Sequence, residues 1–165
     1  LSKPGPRLRE LSKTIKETIP IHQNGGLDIL HELSTRILES IKYSKGKTDI
    51  NTTAEIAMEI GAGVCQYHTH AFITSARLLG FSSRYVSGYL SNGINETQVA
   101  THAWAEVYIM GLGWVGFDIS NGISPDERYV RLATGFDYAD VIPISGVRIG
   151  NGEEQIKTEI TFNQQ

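Results

Sequence analysis

The chain has 165 residues, a length that suits one domain with a single hydrophobic core. Its 15 Lys and Arg residues against 18 Asp and Glu residues leave a net charge of −3, which argues against nucleic-acid binding by bulk electrostatics. No apolar run approaches the ~20 residues that a membrane-spanning helix needs, so no such helix is predicted.

Two helices are predicted in the first part of the chain. Leu8, Leu11 and Ile15 follow helical spacing and predict a short amphipathic helix that ends before Pro20. Apolar residues then recur at steps of three and four over residues 27–41, which predicts a second, longer helix.

Two further helices follow. Thr52 and Glu55 have the spacing of a capping box, which predicts a short helix that ends near Gly61. Another helical pattern starts at Cys65 and stops at Gly80, a typical helix-terminating residue. This pattern places Cys65 in or near the first turn of a helix.

The pattern after Gly80 is that of strands. Residues 101–110 alternate strictly between an apolar face and a face that carries His102, Trp104 and Glu106. The other predicted strands are residues 84–90, residues 114–119 (a hairpin partner after the turn Gly111-Leu112-Gly113), and residues 129–132, 141–149 and 155–162. Helices first and strands afterwards predict an α+β fold with a largely antiparallel sheet.

The chain has a single cysteine, Cys65, which excludes an intramolecular disulfide. A lone thiol is most often an inert, buried side chain. Cys65, however, follows Gly61 and Gly63 and opens a predicted helix. The unpaired N–H groups and dipole of a helix start favour a thiolate and can bind an oxyanion during acyl transfer. Its position therefore favours a nucleophile.

A nucleophilic thiol needs a base and a group that orients the base. His102 heads the alternating strand, and Asp118 lies near the end of its hairpin partner. If the turn pairs Met110 with Trp114, His102 and Asp118 share a face but are staggered by four positions along the strands. In that register a wider loop, a twist or a bulge must bring them together.

A metal site is the competing interpretation of Cys65, His68 and His70. Cys65 and His68 share a helix face, but His70 lies about 200° around the helix from His68 and cannot join them. A zinc ion would need ligands from elsewhere, and His102 is the one attractive candidate. We therefore predict no metal site, with His68 on the surface and His70 as a hydrogen-bonded core residue.

Three further side chains on the hairpin are candidates for function. Trp104 shares the face of His102, and either contacts substrate or packs as part of the hairpin. Trp114 is predicted to be mostly structural. Glu106 is either a second carboxylate near the site or, as we favour, a solvated side chain.

Several ordered motifs resemble those of the bacterial transglutaminase-like family, within the papain-like superfamily. They are Gly63-Val64-Cys65-Gln66, Arg84-Tyr85-Val86-Ser87-Gly88-Tyr89, His102-Ala103-Trp104-Ala105-Glu106-Val107-Tyr108, Gly113-Trp114-Val115-Gly116-Phe117-Asp118 and Phe136-Asp137-Tyr138-Ala139-Asp140-Val141. The resemblance covers residues 27–147. It implies that Cys65 is the nucleophile, His102 the base and acid, and Asp118 the orienting carboxylate. It also implies that the Cys-bearing helix packs on an antiparallel sheet.

The resemblance further implies a catalytic domain over residues 27–165, preceded by a lead-in segment over residues 1–26. Two positions depart from the family pattern. Tyr67 stands where many members have an acidic residue, and Ile119 stands where Pro is common. These departures bear on substrate preference more than on the triad.

The activity implied is thiol-dependent acyl transfer from an amide of a peptide or protein, through a thioester. We favour water as the acceptor, which defines a cysteine peptidase or amidase; the alternatives are a transglutaminase with an amine acceptor and a catalytically silent binding module. No calcium-loop pattern is present, and no cofactor is expected. An additional N-terminal domain, common in bacterial relatives, is expected outside this chain. The lone cysteine favours the cytoplasm.

Overall fold

The computed structural model describes residues 1–19, 26–44, 46, 52–91 and 100–142. Apart from two short strands between the helices, the helices precede the strands along the chain, and the main sheet is antiparallel, which confirms the predicted α+β class. The elements are α1 (Pro6–Thr18), α2 (Leu27–Ser40), β1 (Lys42–Tyr43), α3 (Ala54–Ile60), β2 (Ala62–Gly63), α4 (Cys65–Leu78), β3 (Ser83–Leu90), β4 (Ala100–Ile109), β5 (Gly113–Phe117), β6 (Tyr129–Gly135) and a 3₁₀ turn (Tyr138–Asp140). Within the described residues, no helix combines the length and apolar character that a membrane crossing requires.

The start of α3 differs by one residue from the predicted capping box. Thr53, not Thr52, is the N-cap, and its hydroxyl accepts a hydrogen bond from Ile56 N at 3.3 Å. Glu55 turns away from its own helix and accepts a hydrogen bond from Arg7 N at 2.7 Å. Its carboxylate therefore caps α1, whose N-cap residue makes no side-chain hydrogen bond.

Helix α4 is the centre of the molecule. It packs against α1, α2 and α3 on one side and against β3 and β4 on the other. Leu8 and Ile15 of α1 are fully buried in this same core. The segment predicted as a lead-in thus packs on the domain, while the predicted division between residues 26 and 27 stays a prediction.

Because α4 is surrounded, most of its polar residues are buried as well. The prediction that His68 lies on the surface is wrong: His68 is fully buried, with Nδ1 3.0 Å from the Val64 carbonyl oxygen and Nε2 2.8 Å from that of Ile41. The prediction for His70 is confirmed, since its buried ring lies 2.8 Å from the Ser2 hydroxyl. Burial lowers the pKa of His70 to about 4.

The larger sheet is antiparallel, with strand order β5-β4-β3-β6. The apolar face of β4 is buried against the helices through Ala103, Ala105 and Val107. Strand β6 is longer than predicted, and the predicted strand over residues 155–162 lies outside the described residues. Of the one over residues 141–149, only residues 141 and 142 are described, and neither is in a strand.

The register of the β4–β5 hairpin differs from the predicted one. Ile109, rather than Met110, is the last paired residue of β4, and its partner is Gly113 rather than Trp114. The turn closes with a hydrogen bond from Leu112 N to the Ile109 carbonyl oxygen at 3.0 Å. Relative to the predicted pairing, β5 slides by two residues, so every side chain keeps its face.

Candidate active site

Cys65 is the first residue of α4 and is 8% exposed. The strand β2 leads directly into it and pairs in parallel with β1, which fixes the approach of the chain. At Gly63 a Cβ atom would lie 3.1 Å from Tyr67 and 3.3 Å from Ile41, so a larger residue would crowd the entry to the helix. Cys65 thus lies at the helix start, where the first N–H groups have no acceptor in a preceding helical turn.

Two tyrosines lie close enough to Cys65 to sense its charge. Burial and the charge of Cys65 both raise the pKa of Tyr85, which is buried under the sheet, and of Tyr43, which is half-exposed on β1. Tyr67, one of the departures from the family pattern, is 4% exposed and packs in the core. The tyrosines near the thiol are thus held in their uncharged form.

His102 lies between Asp118 and Cys65. Its Nε2 is 2.6 Å from Asp118 Oδ2. Since Nε2 is engaged by the carboxylate, Nδ1 is the nitrogen left for the sulfur. Burial alone would lower the pKa of His102, but its interactions with Asp118 and then with Cys65 raise it to about 9.

Asp118 follows the last residue of β5, where a backbone bridge to Ile123 turns the chain back. In the observed register His102 and Asp118 are staggered by two positions instead of four. Two residues in such a diagonal position on neighbouring strands are close enough for their side chains to meet. The sequence therefore predicted correctly that His102 and Asp118 lie on the same face of the hairpin. The observed register reduces the separation of the two residues along the strands from four positions to two.

The Asp118 carboxylate is 1% exposed and accepts five hydrogen bonds. Oδ1 accepts hydrogen bonds from Ser120 Oγ at 2.8 Å and from Asn121 N at 3.2 Å. Oδ2 accepts hydrogen bonds from Asn121 Nδ2 and from the Tyr129 hydroxyl, each at 2.7 Å, in addition to the one from His102. Burial raises the pKa of this carboxyl, but the bond with His102 and its charge, then the bonds from Tyr129 and Asn121, lower it to about 2.

Asn121 and Tyr129 are site residues that the sequence analysis missed. Asn121 stands three residues after Asp118, a spacing at which an aspartate commonly accepts a hydrogen bond from the following turn. Tyr129 gives no such local signal, because it reaches Asp118 from β6, a separate strand. Hydrogen bonding to Asp118 and burial raise the pKa of Tyr129.

Trp104 packs behind the triad. Its ring lies nearly parallel to that of His102 at 6.4 Å and meets the Tyr129 ring edge-on at 5.4 Å. It is 3% exposed and covers Gly88, where a Cβ would come within 2.6 Å of the indole. The structure thus places Trp104 as a buried support for His102.

Glu106 and Trp114 lie further along the same face. Glu106 is 9% exposed and forms ion pairs with Arg84 and Arg131, so the prediction that it is solvated is wrong. Trp114 is 44% exposed, and the Arg84 guanidinium stacks on its ring at 4.0 Å.

Among the described residues, no group of three or more His, Cys, Asp or Glu side chains is arranged so that it could hold a metal ion. His68, one member of the motif considered for zinc, has both ring nitrogens directed at backbone carbonyl oxygens. Those contacts explain its burial without a metal ion.

The model for the transglutaminase-like superfamily matches residues 13–119, well over half of the chain. The chain belongs to the transglutaminase-like superfamily. The family prediction is therefore confirmed, and the arrangement of helix and antiparallel sheet is the one expected for this superfamily.

Relatives in this superfamily extend beyond the matched region. An uncharacterised protein of Mycobacterium tuberculosis is 33% identical over 144 residues, which cover 79% of this chain and 45% of the relative. The uncharacterised protein YebA of Bacillus subtilis is 28% identical over 99 residues, or 53% of this chain and 13% of YebA. The chain thus spans less than half the length of these relatives.

Two solved structures share the transglutaminase-like fold. A protein of Cytophaga hutchinsonii described as a "putative cysteine protease" is 28% identical, with a TM-score of 0.66 over 84% of this chain and 47% of that one. The periplasmic domain of TgpA from Pseudomonas aeruginosa is 19% identical, with a TM-score of 0.58 over 73% of this chain and 44% of that one, a likeness of fold. These similarities support a cysteine-dependent enzyme fold.

Proposed function

We propose that the protein is a cysteine peptidase or amidase that acts on amide bonds of peptides or proteins. The observation that carries the proposal is the position of His102, whose Nε2 lies 2.6 Å from Asp118 Oδ2 and whose pKa is raised by interactions with both Asp118 and Cys65. A nucleophile, a base and a group that orients the base are the three parts that thiol acyl transfer requires.

In the acylation step, the thiol proton resides on His102, which its raised pKa of about 9 keeps charged near neutral pH, and Cys65 Sγ attacks the amide carbonyl carbon as the thiolate. The negative charge that develops on the carbonyl oxygen is stabilised by backbone N–H groups at the start of α4. His102 then donates the proton to the leaving amine as the C–N bond breaks, which leaves a thioester on Cys65. Asp118 stays ionised and holds the imidazolium in place.

In the second step, His102 takes a proton from water, which attacks the thioester and releases the acid. The Cys65 sulfur departs as the thiolate beside the protonated His102, and the enzyme returns to its starting state. A primary amine in place of water would give a new amide, the reaction of a transglutaminase. The nucleophile, the base and the carboxylate are the same for both acceptors.

The full chain incubated with a library of glutamine-containing peptides, with and without a primary amine, tests the proposal by mass spectrometry. Hydrolysis predicts chain cleavage, or replacement of side-chain ammonia by water, and both must disappear in Cys65→Ala. Incorporation of the amine in preference to water would establish a transglutaminase instead. If neither product forms and Cys65→Ala matches the wild type, the chain is a silent binding module and the proposal is refuted.

A further inference from the structure

A cluster of charged side chains occupies the sheet face that carries His102. Arg84 and Glu106 are paired across β3 and β4, with Arg84 Nε and Nη2 at 2.7 and 2.6 Å from Glu106 Oε2. Arg131 Nη1, from β6, lies 3.1 Å from Glu106 Oε1. Two guanidinium groups face one carboxylate, so the cluster carries a net positive charge on a chain whose overall charge is −3.

A groove of about 230 Å³ opens beside this cluster. It is lined by Arg84, Arg131, Leu132, Ala133 and Thr134. The lining results from a bulge: Ala133 pairs with Ser87 and Arg131 with the adjacent Gly88, so Leu132 is the extra residue on β6. Bulges re-aim side chains and are frequent next to functional sites.

Arg131 is the residue of the cluster best able to bind a ligand. Arg84 directs its donors at Glu106 and stacks on Trp114, whereas the hydrogen bonds from Arg131 to Glu106 run through Nη1 alone. The Arg131 side chain is 53% exposed. A guanidinium has five N–H donors in a planar fork that fits a carboxylate, and Nε and Nη2 of Arg131 bond to none of the described residues, so they can bind one. Thr134 adds an exposed hydroxyl to the groove.

The groove lies near the triad. Arg131 is two residues along β6 from Tyr129, whose hydroxyl binds Asp118, and Glu106 is four residues along β4 from His102. At about 3.3 Å per residue these separations are about 7 and 13 Å. An extended peptide would cross them in about two to four residues.

We propose that this groove, centred on Arg131, is a subsite for a carboxylate of the substrate, about two to four residues from the amide that Cys65 attacks. The carboxylate is either an acidic side chain or the C-terminus of a peptide. The proposal rests on the proposed function, because it assigns the substrate class of the same site.

Binding to the full-length Cys65→Ala variant tests the subsite without turnover. Three sets of fluorescent peptides are compared by anisotropy: Glu-containing with an amidated C-terminus, Gln-containing with an amidated C-terminus, and Gln-containing with a free C-terminus. At low salt we expect one carboxylate-bearing set to bind about tenfold more tightly than the neutral set, and which set it is identifies the source of the carboxylate. The preference must weaken as salt is added.

Arg131→Gln in the Cys65→Ala background must abolish the preference, while Arg128→Gln must preserve it. Arg128 is a matched control because it is an exposed arginine just before β6 that pairs with Asp126. Equal binding of the neutral and carboxylate-bearing sets, binding of none of them, or an unchanged preference in Arg131→Gln would each overturn the subsite. Thermal unfolding confirms that both variants are folded.

Turnover by the wild type separates this proposal from the proposed function. If the carboxylate-bearing peptides bind Cys65→Ala through Arg131 but the wild type converts no peptide, the subsite stands and acyl transfer fails. If the wild type hydrolyses neutral and acidic peptides equally and Cys65→Ala shows no preference, the function stands and the subsite fails.

Discussion

Asp118→Asn is expected to reverse the direction in which the fold moves the pKa of His102. In the wild type this pKa is about 9, against an ordinary value of 6.5, and the difference corresponds to about 3 kcal/mol in favour of the charged imidazole. Burial acts in the opposite direction and is outweighed by the interactions with Asp118 and Cys65. In a Cys65→Ala background, where Asp118 is the remaining partner, loss of its charge should leave burial dominant.

The assay is an NMR titration of the His102 imidazole C–H signals. In Cys65→Ala the pKa of His102 should stay above 6.5, and in Cys65→Ala with Asp118→Asn it should fall below 6.5. Asp126→Asn is the control, since Asp126 is an exposed carboxylate bound to Arg128 and should leave the titration unchanged. An unchanged pKa of His102 in Asp118→Asn would refute the argument that Asp118 stabilises its charged form.

The same shift predicts how stability depends on pH. Since the pKa of His102 is raised on folding, its contribution to the free energy of unfolding is complete below pH 6.5 and is lost as the pH rises through about 9. Urea unfolding of Cys65→Ala with and without Asp118→Asn should therefore show a larger difference at pH 6 than at pH 9.5. A constant difference across this range would contradict the prediction.

Three further predictions concern residues around the triad. Tyr129→Phe removes one hydrogen bond from Asp118, so it should lower kcat about tenfold with little change in KM, and it should shift the pH profile of the activity. Tyr108→Phe is the control: Tyr108 is half-exposed, and its substitution should leave both kcat and the pH profile unchanged. Gly88→Ala would press a Cβ against the Val130 carbonyl oxygen of β6 and should destabilise the fold by about 2 kcal/mol or more, measured by thermal unfolding. Cys65 should react with iodoacetamide at pH 6 faster than an ordinary thiol, and His102→Ala should remove that advantage. Equal reaction rates of Cys65 in the wild type and in His102→Ala would contradict activation of the thiol by His102.

The helices and strands near the site could be predicted because local chemistry determines them. Helix α4 starts at Cys65 as predicted, and Gly80 adopts a φ of +93° just after its end, a conformation that favours glycine. The alternation along β4 likewise predicted that His102 and Asp118 share a face. Both inferences depend on residues close together in the sequence.

Registers and buried polar partners could not be predicted in this way. Gly111 and Gly113 both adopt positive φ, so composition alone does not show where the turn closes, and a slide of two residues leaves the alternation intact. His68 and Glu106 are polar residues that alternation or helical spacing would place in solvent. They are buried because partners from distant segments, the Ile41 carbonyl and two arginines, satisfy them.

The two contacts of His102 depend on different parts of the fold. Its bond to Asp118 lies within the β4–β5 hairpin and the turn that follows, and five hydrogen bonds hold the carboxylate there. Its interaction with Cys65 crosses from sheet to helix, and therefore depends on how closely α4 approaches β4. Ala103 and Ala105, both buried in the core on that side of β4, allow a close approach because they are small. The base and carboxylate are thus positioned by the hairpin, whereas the nucleophile is brought to them by the packing of helix on sheet.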